Sequence, residues 1–215
     1  MAVKILILLI QVGIHNDNHY STAYDLALMG RYAMKNELFR KFVLTSKYTL
    51  PATNKYDKAN RILSSTNKLI NNKSNQFYEY ATGMKTGFTG PAKNCIVASA
   101  KKDDLELICV ILGNDYDDDT NNKFSDCIHL FDYGFSTFSY KKLYNKDSVY
   151  KTVNPNNASN DTKNLDLLYE NDIMALVKIS DYDQELVPTV NLDKLKAPIE
   201  KGSVVGTISY DILRY

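Results

Sequence analysis

The fold is decided by the stretch Gly83-Met84-Lys85-Thr86-Gly87-Phe88-Thr89-Gly90, which Asn94-Cys95-Ile96-Val97-Ala98-Ser99-Ala100 follows closely. Both stretches are rich in strand-forming residues, and a third such run extends from Leu105 to Leu112. A Gly-Pro turn and a Lys-Lys-Asp-Asp turn separate the three runs, and connections this short join antiparallel neighbours. The sequence therefore predicts an antiparallel meander of three strands over Met84–Thr89, Asn94–Ala100 and Leu105–Leu112.

An amphipathic segment follows the meander. Between Asn121 and Phe138, apolar residues recur at spacings of three and four, which is the period of one helix face: Phe124, Cys127, Ile128, Phe131 and Phe135. We therefore expect a helix in this segment, packed across the meander.

The segment before the meander predicts shorter elements. Ser21-Thr22 is a favourable helix start, because a hydroxyl accepts hydrogen bonds from the free amides of the first turn. A second short helix is predicted over Asn36–Val43 and a strand over Ser46–Leu50. Asn60–Asn75 is polar and rich in asparagine, so we expect turns there.

The residue pattern of the sequence changes near Ser139. Beyond it, turns rich in Lys, Asn and Asp separate short β-prone runs, among them Ile173–Ile179, Leu186–Val190 and Val204–Tyr210. A length of 215 residues accommodates one good core and a smaller second unit. The sequence therefore predicts two domains, a mixed α and β domain at residues 1–138 and a small β-rich domain at residues 139–215.

The composition excludes some classes of partner. Lys and Arg number 26 against 25 Asp and Glu, a formal net charge of +1. No overall field therefore attracts the chain to nucleic acid or to an anionic membrane surface. The cysteines Cys95, Cys109 and Cys127 lack the close spacings of zinc or redox sites, so we expect free or buried thiols.

Two polar clusters imitate metal sites. His15 and His19 stand four residues apart, but the glutamate of the zinc-protease motif is missing, so we interpret them as structural or loop histidines. Five residues partly imitate a calcium loop in which Thr120 occupies the position that requires glycine: Asp115, Asp117, Asp119, Asn121 and Asp126. We predict a solvated loop there, and no metal or other cofactor.

The tripeptide Lys85-Thr86-Gly87, on a predicted strand, resembles the third signature of penicillin-binding proteins and β-lactamases. A tripeptide alone also arises by chance, so the order of further stretches matters. Five more resemble, in order and spacing, the serine-type D-alanyl-D-alanine carboxypeptidases, which are low-molecular-mass penicillin-binding proteins: His19–Leu28, Asn67-Lys68-Leu69, Cys95–Ala100, Leu130–Phe135 and Ala197-Pro198-Ile199. The sequence is thus identified as a member of this family, as a C-terminal part of it.

The resemblance implies a fold and roles for individual residues. The fold is α+β: part of a transpeptidase-like domain, with an antiparallel sheet and helices, followed by the β-rich domain. Lys85 is then the catalytic lysine and a substrate contact, Thr86 holds the terminal carboxylate, and Gly87 lets the substrate backbone lie against the strand. The Phe88 amide supplies one oxyanion donor. Lys123 stands where the family has a substrate-binding arginine, and the alternative is a surface lysine on an amphipathic helix.

The implied reaction uses a serine in a Ser-x-x-Lys motif, which the family places, with a Ser-x-Asn motif, well before His15. Two matches, Ser65–Lys68 and Ser139–Lys142, fall elsewhere in the family's order, and we interpret them as coincidences. We expect Met1 to about Val12 to be out-of-frame translation, with the first half of the gene upstream. The isolated chain is then expected to be inactive, to expose apolar surface and to be poorly soluble.

By the same resemblance, the intact parent removes the terminal D-Ala from peptidoglycan stem peptides that end in D-Ala-D-Ala, and β-lactams bind it. It acts outside the cytoplasmic membrane, in the cell envelope. No signal peptide or anchor is recognised in this chain, so membrane association is expected only through other parts of the parent. The rival function is a non-catalytic module in which Lys85–Phe88 and the C-terminal domain hold wall peptides.

Overall fold

A computed structural model of the chain describes residues 6–8, 13–55, 61–115, 122–183 and 186–210. The chain divides into two compact units, Met1–Phe135 and Ser136–Tyr215. The first combines helices with antiparallel sheets, and the second contains antiparallel strand pairs. The predicted α+β fold is therefore confirmed, while the domain boundary after residue 138 stays a prediction.

Three helices and five strands are described up to Thr137. In chain order they are α1 (Ala23–Ala33), α2 (Glu37–Leu44), β1 (Lys47–Leu50), β2 (Arg61–Ser64), β3 (Ala81–Thr89), β4 (Lys93–Lys102), β5 (Leu105–Asn114) and α3 (Lys123–Thr137). Thr22 accepts a hydrogen bond from the Asp25 amide at the start of α1, and Asn36 accepts one from the Phe39 amide at the start of α2. These caps satisfy amides that have no partner within the helix. No helix in the described part of the chain is both long and apolar enough to cross a bilayer.

The predicted meander is formed by β3, β4 and β5. β4 lies in the middle and pairs antiparallel with both neighbours. The turn between β4 and β5 includes Asp103, whose φ of 51° lies in the left-handed region that aspartate tolerates. Each strand is slightly longer than predicted, because backbone pairing continues past the apolar residues that mark the strand in the sequence.

One face of the meander is covered by α3. Cys127 and Phe131 of α3 are buried in a core that includes Ala98 of β4. Gly134 allows the helix to approach β5 closely, since a Cβ at this position would lie 2.5 Å from Leu107 Cδ1. The apolar stripe predicted from the sequence is therefore the face that α3 buries.

The opposite face of the meander is covered by α2 and α1. Arg40 of α2 donates two hydrogen bonds to Glu106 of β5, at 2.6 and 2.8 Å, and these bonds raise the pKa of Arg40. Neighbouring residues on a strand point to opposite faces, so Glu106 lies on the face away from Leu107 and α3. Gly30 brings α1 close to the sheet, since a Cβ there would lie 3.1 Å from Met84 Cε. The meander is thus the middle layer of the first unit.

The first unit also contains a two-stranded antiparallel ribbon of β1 and β2, with Lys47 opposite Ser64. The prediction of turns throughout Asn60–Asn75 is wrong for the strand Arg61–Ser64. All four β2 residues are exposed, so no alternation of buried and exposed side chains marks the strand in the sequence. Its backbone pairing with β1 is the physical reason that it forms.

The second unit is built from strand pairs. Its described strands are β6 (Phe138–Tyr144), β7 (Val149–Val153), β8 (Leu165–Leu168), β9 (Ile173–Lys178), β10 (Pro188–Leu192) and β11 (Gly206–Tyr210). They pair as β6 with β9, β7 with β8 and β10 with β11, all antiparallel. The predicted β-rich texture is confirmed, but Phe138, predicted to end the preceding helix, begins β6. Tyr144 and the buried Tyr169 stack with their ring centroids 4.5 Å apart.

Several large apolar side chains of α1 and α2 are exposed. Tyr32 is 79% exposed, Phe42 67% and Leu38 59%. Large exposed apolar patches mark surfaces that associate with other molecules. The exposed apolar surface expected from the sequence is therefore present on these helices.

Gly83→Ala is expected to destabilise the first unit. Gly83 has a φ of +141°, and a Cβ there would lie 2.6 Å from Val43 Cγ2 of α2. Backbone strain and overpacking together lower the free energy of unfolding by about 2 kcal/mol or more, measured by urea denaturation. Gly87→Ala is the matched control on the same strand, because a Cβ there meets nothing within 4 Å. Equal losses in the two variants would contradict this packing.

Candidate functional site

The tripeptide Lys85-Thr86-Gly87 lies on an edge strand. In the described part of the chain, β3 pairs with β4 on one side and with no strand on the other. Lys85, Gly87 and Phe88 are exposed, and Thr86 is half-buried. An exposed edge strand offers backbone donors and acceptors that an extended peptide can pair with. The tripeptide therefore lies on a strand edge that has no strand partner in the described part of the chain.

Lys85 lies along this edge. Its Nζ donates a hydrogen bond of 2.6 Å to the carbonyl oxygen of Thr86. An ammonium group has three donors, so this contact leaves donors for an anionic group beside the strand. Lys85 thus places a positive charge at the exposed edge.

A second threonine holds the hydroxyl of Thr86. Oγ1 of Thr66 lies 2.5 Å from Oγ1 of Thr86. Thr66 comes just before a short 3-10 turn, Lys68–Ile70, which the Asn67 side chain caps by accepting from the Leu69 amide at 3.1 Å. Sequence reasoning missed Thr66, because only the fold brings this turn to β3. Thr66 lies directly before the family-like Asn67-Lys68-Leu69, which was the available signal.

Lys123 begins α3 and is buried, with 8% of its surface exposed. Its Nζ donates to Asn94 Oδ1 at 2.5 Å and lies 5.2 Å from the centroid of the Phe124 ring. The alternative of a surface lysine is therefore wrong, because the ammonium is held inside by an amide oxygen and an aromatic face. Asn94 is the register partner of Phe88, so this contact connects α3 to the C-terminal half of β3.

Two family models match the chain. The model described as D-alanyl-D-alanine carboxypeptidase matches residues 10–116, and the model of the C-terminal domain of penicillin-binding protein 5 matches residues 138–213. The chain belongs to the D-alanyl-D-alanine carboxypeptidase family. Its members are serine-type enzymes among the low-molecular-mass penicillin-binding proteins. The family resemblance read from the sequence is confirmed.

One curated relative shares the family's name, and two solved structures share the fold. D-alanyl-D-alanine carboxypeptidase DacF of Bacillus subtilis is 30% identical over 197 residues, which cover 91% of this chain and 47% of DacF. The structure of a peptidoglycan synthesis regulatory factor from Streptococcus pneumoniae matches with a TM-score of 0.66 at 20% identity. The match covers 91% of this chain and 52% of that protein's chain. The structure of penicillin binding protein 5 from Haemophilus influenzae matches with a TM-score of 0.63 at 23% identity. The match covers 98% of this chain and 57% of that protein's chain. The structures share the fold, and the chain spans about half the length of the relative it matches.

A serine carboxypeptidase of this family needs a serine beside a lysine. The residues of the two Ser-x-x-Lys matches that we interpret as coincidences make other contacts. Ser65 Oγ accepts from the Asn67 amide at 3.2 Å, while Lys68 Nζ lies 5.7 Å from the Phe124 ring centroid. Ser139 and Lys142 both lie on β6, where residues three apart point to opposite faces.

The sequence analysis did not identify two further Ser-x-x-Lys matches, Ser99–Lys102 and Ser148–Lys151. Ser99 and Lys102 both lie on β4, so they point to opposite faces, and Ser99 is fully buried. Ser148 donates to the Asn145 carbonyl oxygen at 2.6 Å, and Lys151 lies on β7. None of the four matches in this chain lies on an α-helix, where a serine and a lysine three residues apart share a face.

The two clusters that imitate metal sites have other contacts. His15 Nε2 lies 2.9 Å from Asp17 Oδ1. Lys93 Nζ donates to Asp115 Oδ2 at 2.5 Å, and Asp126 accepts from the Asn114 side chain at 2.9 Å. The rest of the calcium-like loop, residues 116–121, lies outside the described residues.

The contact between Lys123 and Asn94 predicts opposite results for two substitutions. Asn94→Ala leaves the buried ammonium without this acceptor and lowers the free energy of unfolding by about 1–3 kcal/mol in urea denaturation. Asn94→Asp keeps an acceptor and adds an opposite charge, so its stability stays at or above that of the wild type. Equal stability of the alanine variant and the wild type would contradict the contact.

Proposed function

We propose that this chain supplies the peptide-docking half of a D-alanyl-D-alanine carboxypeptidase site, and that the nucleophilic serine is not among its 215 residues. The observation that carries the proposal is the open edge of β3 with Lys85, Thr86, Gly87 and Phe88. The positions of the four Ser-x-x-Lys matches, off any α-helix, support the second part.

The substrate tail docks as an added strand on β3. Its backbone pairs with the free edge, and Gly87 leaves room because nothing lies within 4 Å of its absent Cβ. The terminal carboxylate binds the ammonium of Lys85 and the hydroxyl of Thr86, which Thr66 orients. The Phe88 amide is one oxyanion donor, a group whose removal from an enzyme costs about 3 kcal/mol of barrier.

Lys123 serves as a positioning residue in this proposal. Its ammonium binds Asn94, which pairs with Phe88, so it fixes the end of the docking strand through Asn94. A lysine keeps the charge of the family's arginine but has no planar fork for bidentate binding of a carboxylate. Of the two proposed roles of Lys123, direct binding of the substrate carboxylate is therefore less important than positioning β3 through Asn94.

In the intact protein, the serine oxygen attacks the carbonyl carbon between the two D-Ala residues, and the terminal D-Ala leaves as the amine. Water then hydrolyses the acyl-enzyme, and the same serine is the group that β-lactams acylate. The substrate is the peptidoglycan stem peptide, so the reaction takes place in the cell envelope.

The isolated chain is predicted to hold the peptide without cleaving it. Loss of the catalytic serine lowers turnover about a millionfold in a serine hydrolase. The same docking edge also serves the rival function, a non-catalytic module that holds wall peptides. The two functions differ in whether a serine is supplied to this edge from elsewhere.

Saturation-transfer NMR with the purified chain tests the docking edge at low protein concentration. We expect transfer to the methyl groups of diacetyl-L-Lys-D-Ala-D-Ala and none to the same peptide ending in L-Ala-L-Ala. Lys85→Ala weakens binding by about tenfold, the effect of one lost charged hydrogen bond. Gly87→Ala also weakens it, because the new methyl group occupies the docking edge. Lys101→Ala, an exposed lysine on β4, is the matched control and keeps the wild-type signal.

Equal transfer to both peptides, or equal binding by Lys85→Ala and the wild type, would contradict docking on β3. Intact mass spectrometry after incubation with a labelled penicillin tests the missing serine separately. The expected result is an unchanged mass, since none of the four Ser-x-x-Lys matches lies on an α-helix, where the lysine would share a face with the serine and could activate it. A covalent adduct on any serine would overturn this part of the proposal and leave the docking result standing.

A further inference from the structure

Two of the three cysteines lie side by side in the core of the first unit. The thiol of Cys109, on β5, donates to the sulfur of Cys127, on α3, at an Sγ–Sγ distance of 3.3 Å. Cys109 is 5% exposed and Cys127 is fully buried. The third, Cys95 of β4, is half-buried and donates to the Ala92 carbonyl oxygen. The fold thus brings together two thiols that stand 18 positions apart in the sequence.

The surroundings of this pair are apolar. Both sulfurs belong to the core cluster that contains Ala98, Phe124 and Phe131. The hydrogen bond with Cys109 and burial raise the pKa of the Cys127 thiol well above its usual range. A buried neutral thiol is a poor nucleophile. In the folded, reduced protein, the pair is therefore protected from most reagents.

The distance suits a covalent bond between the two sulfurs. A disulfide has an S–S length of about 2.05 Å, so the sulfurs must come closer by roughly 1.2 Å. One cysteine lies on a strand and the other on the helix packed across it, so the two side chains approach each other from different elements.

We propose that Cys109 and Cys127 are a cross-linking site: in an oxidising environment they form one intrachain disulfide that joins α3 to β5. The oxidant is a small-molecule or protein disulfide. One cysteine thiolate attacks it and forms a mixed disulfide with release of one thiol, and the second cysteine thiolate attacks the cysteine sulfur and releases the other. The two cysteines lose two electrons and two protons, and the oxidant becomes two thiols.

Burial sets the time at which this reaction occurs. A disulfide reagent has no access to the pair in the folded state, so the first attack takes place before α3 packs on β5 or when this contact opens. The reaction is therefore fast during folding and slow afterwards.

The cross-link acts on the start of α3. Cys127 lies one helical turn after Lys123, and residues four apart on a helix share a face. A bond at Cys127 therefore fixes the segment from which the ammonium of Lys123 reaches Asn94. This consequence for the site rests on the proposed function, whereas the cross-link itself does not.

Refolding in a glutathione redox buffer tests the cross-link. After refolding, the chain is denatured without reductant, free thiols are alkylated with iodoacetamide, and the mass is measured. We expect one alkylated thiol, at Cys95, and a tryptic species that joins Asp103–Lys123 to Phe124–Lys141. The oxidised chain should unfold about 5 °C or more above the reduced chain, and dithiothreitol should reverse the difference.

Two variants serve as matched controls. Cys95→Ser keeps the cross-linked species and shows no alkylated thiol. Cys109→Ala loses that species, which the mass spectrum reports whether or not the variant reaches full stability. Three alkylated thiols in the refolded wild type, or a disulfide that includes Cys95, would overturn the proposal. A peptide-binding failure at β3 would leave this result unaffected.

Discussion

The outer edge of β3 is the constraint on which the site depends. β3 pairs with β4 alone in the described part of the chain, so its other side keeps backbone groups that a peptide can pair with. Both faces of the sheet are packed. The core between β4 and α3 stabilises one face, and the ion pair between Arg40 and Glu106 attaches α2 to the other. The exposed, charged side chain of Lys85, which donates to the Thr86 carbonyl oxygen, adds a positive charge beside this strand edge.

The second half of the proposed site depends on α3. The side chain of Lys123, at the start of this helix, is buried and donates a hydrogen bond to Asn94, which lies opposite Phe88 in the sheet. Ala98 and Gly134 are small, and they allow α3 to lie close to the sheet. The same close packing brings Cys109 and Cys127 together. One helix–sheet interface therefore determines both the buried lysine and the thiol pair.

The sequence predicted the meander, the amphipathic face of α3 and the family, because each depends on local periodicity or on the order of short motifs. It did not predict β2, whose four exposed residues have no alternating pattern. It also missed the burial of Lys123, since a lysine is expected at the surface unless a partner from a distant strand accepts its hydrogen bond. The contact between Thr66 and Thr86 joins residues 20 positions apart and follows from the fold alone. Contacts between separate segments are thus what sequence reasoning lacked.

The most direct test of the docking edge is amide hydrogen exchange of β3 with and without a peptide ending in D-Ala-D-Ala. A peptide added as a strand pairs with outward-facing amides, and pairing protects an amide from exchange. The account predicts slower exchange within Lys85–Thr89 when this peptide is present, and no change with the peptide ending in L-Ala-L-Ala. Unchanged exchange in β3 at saturating D-Ala-D-Ala peptide would contradict it.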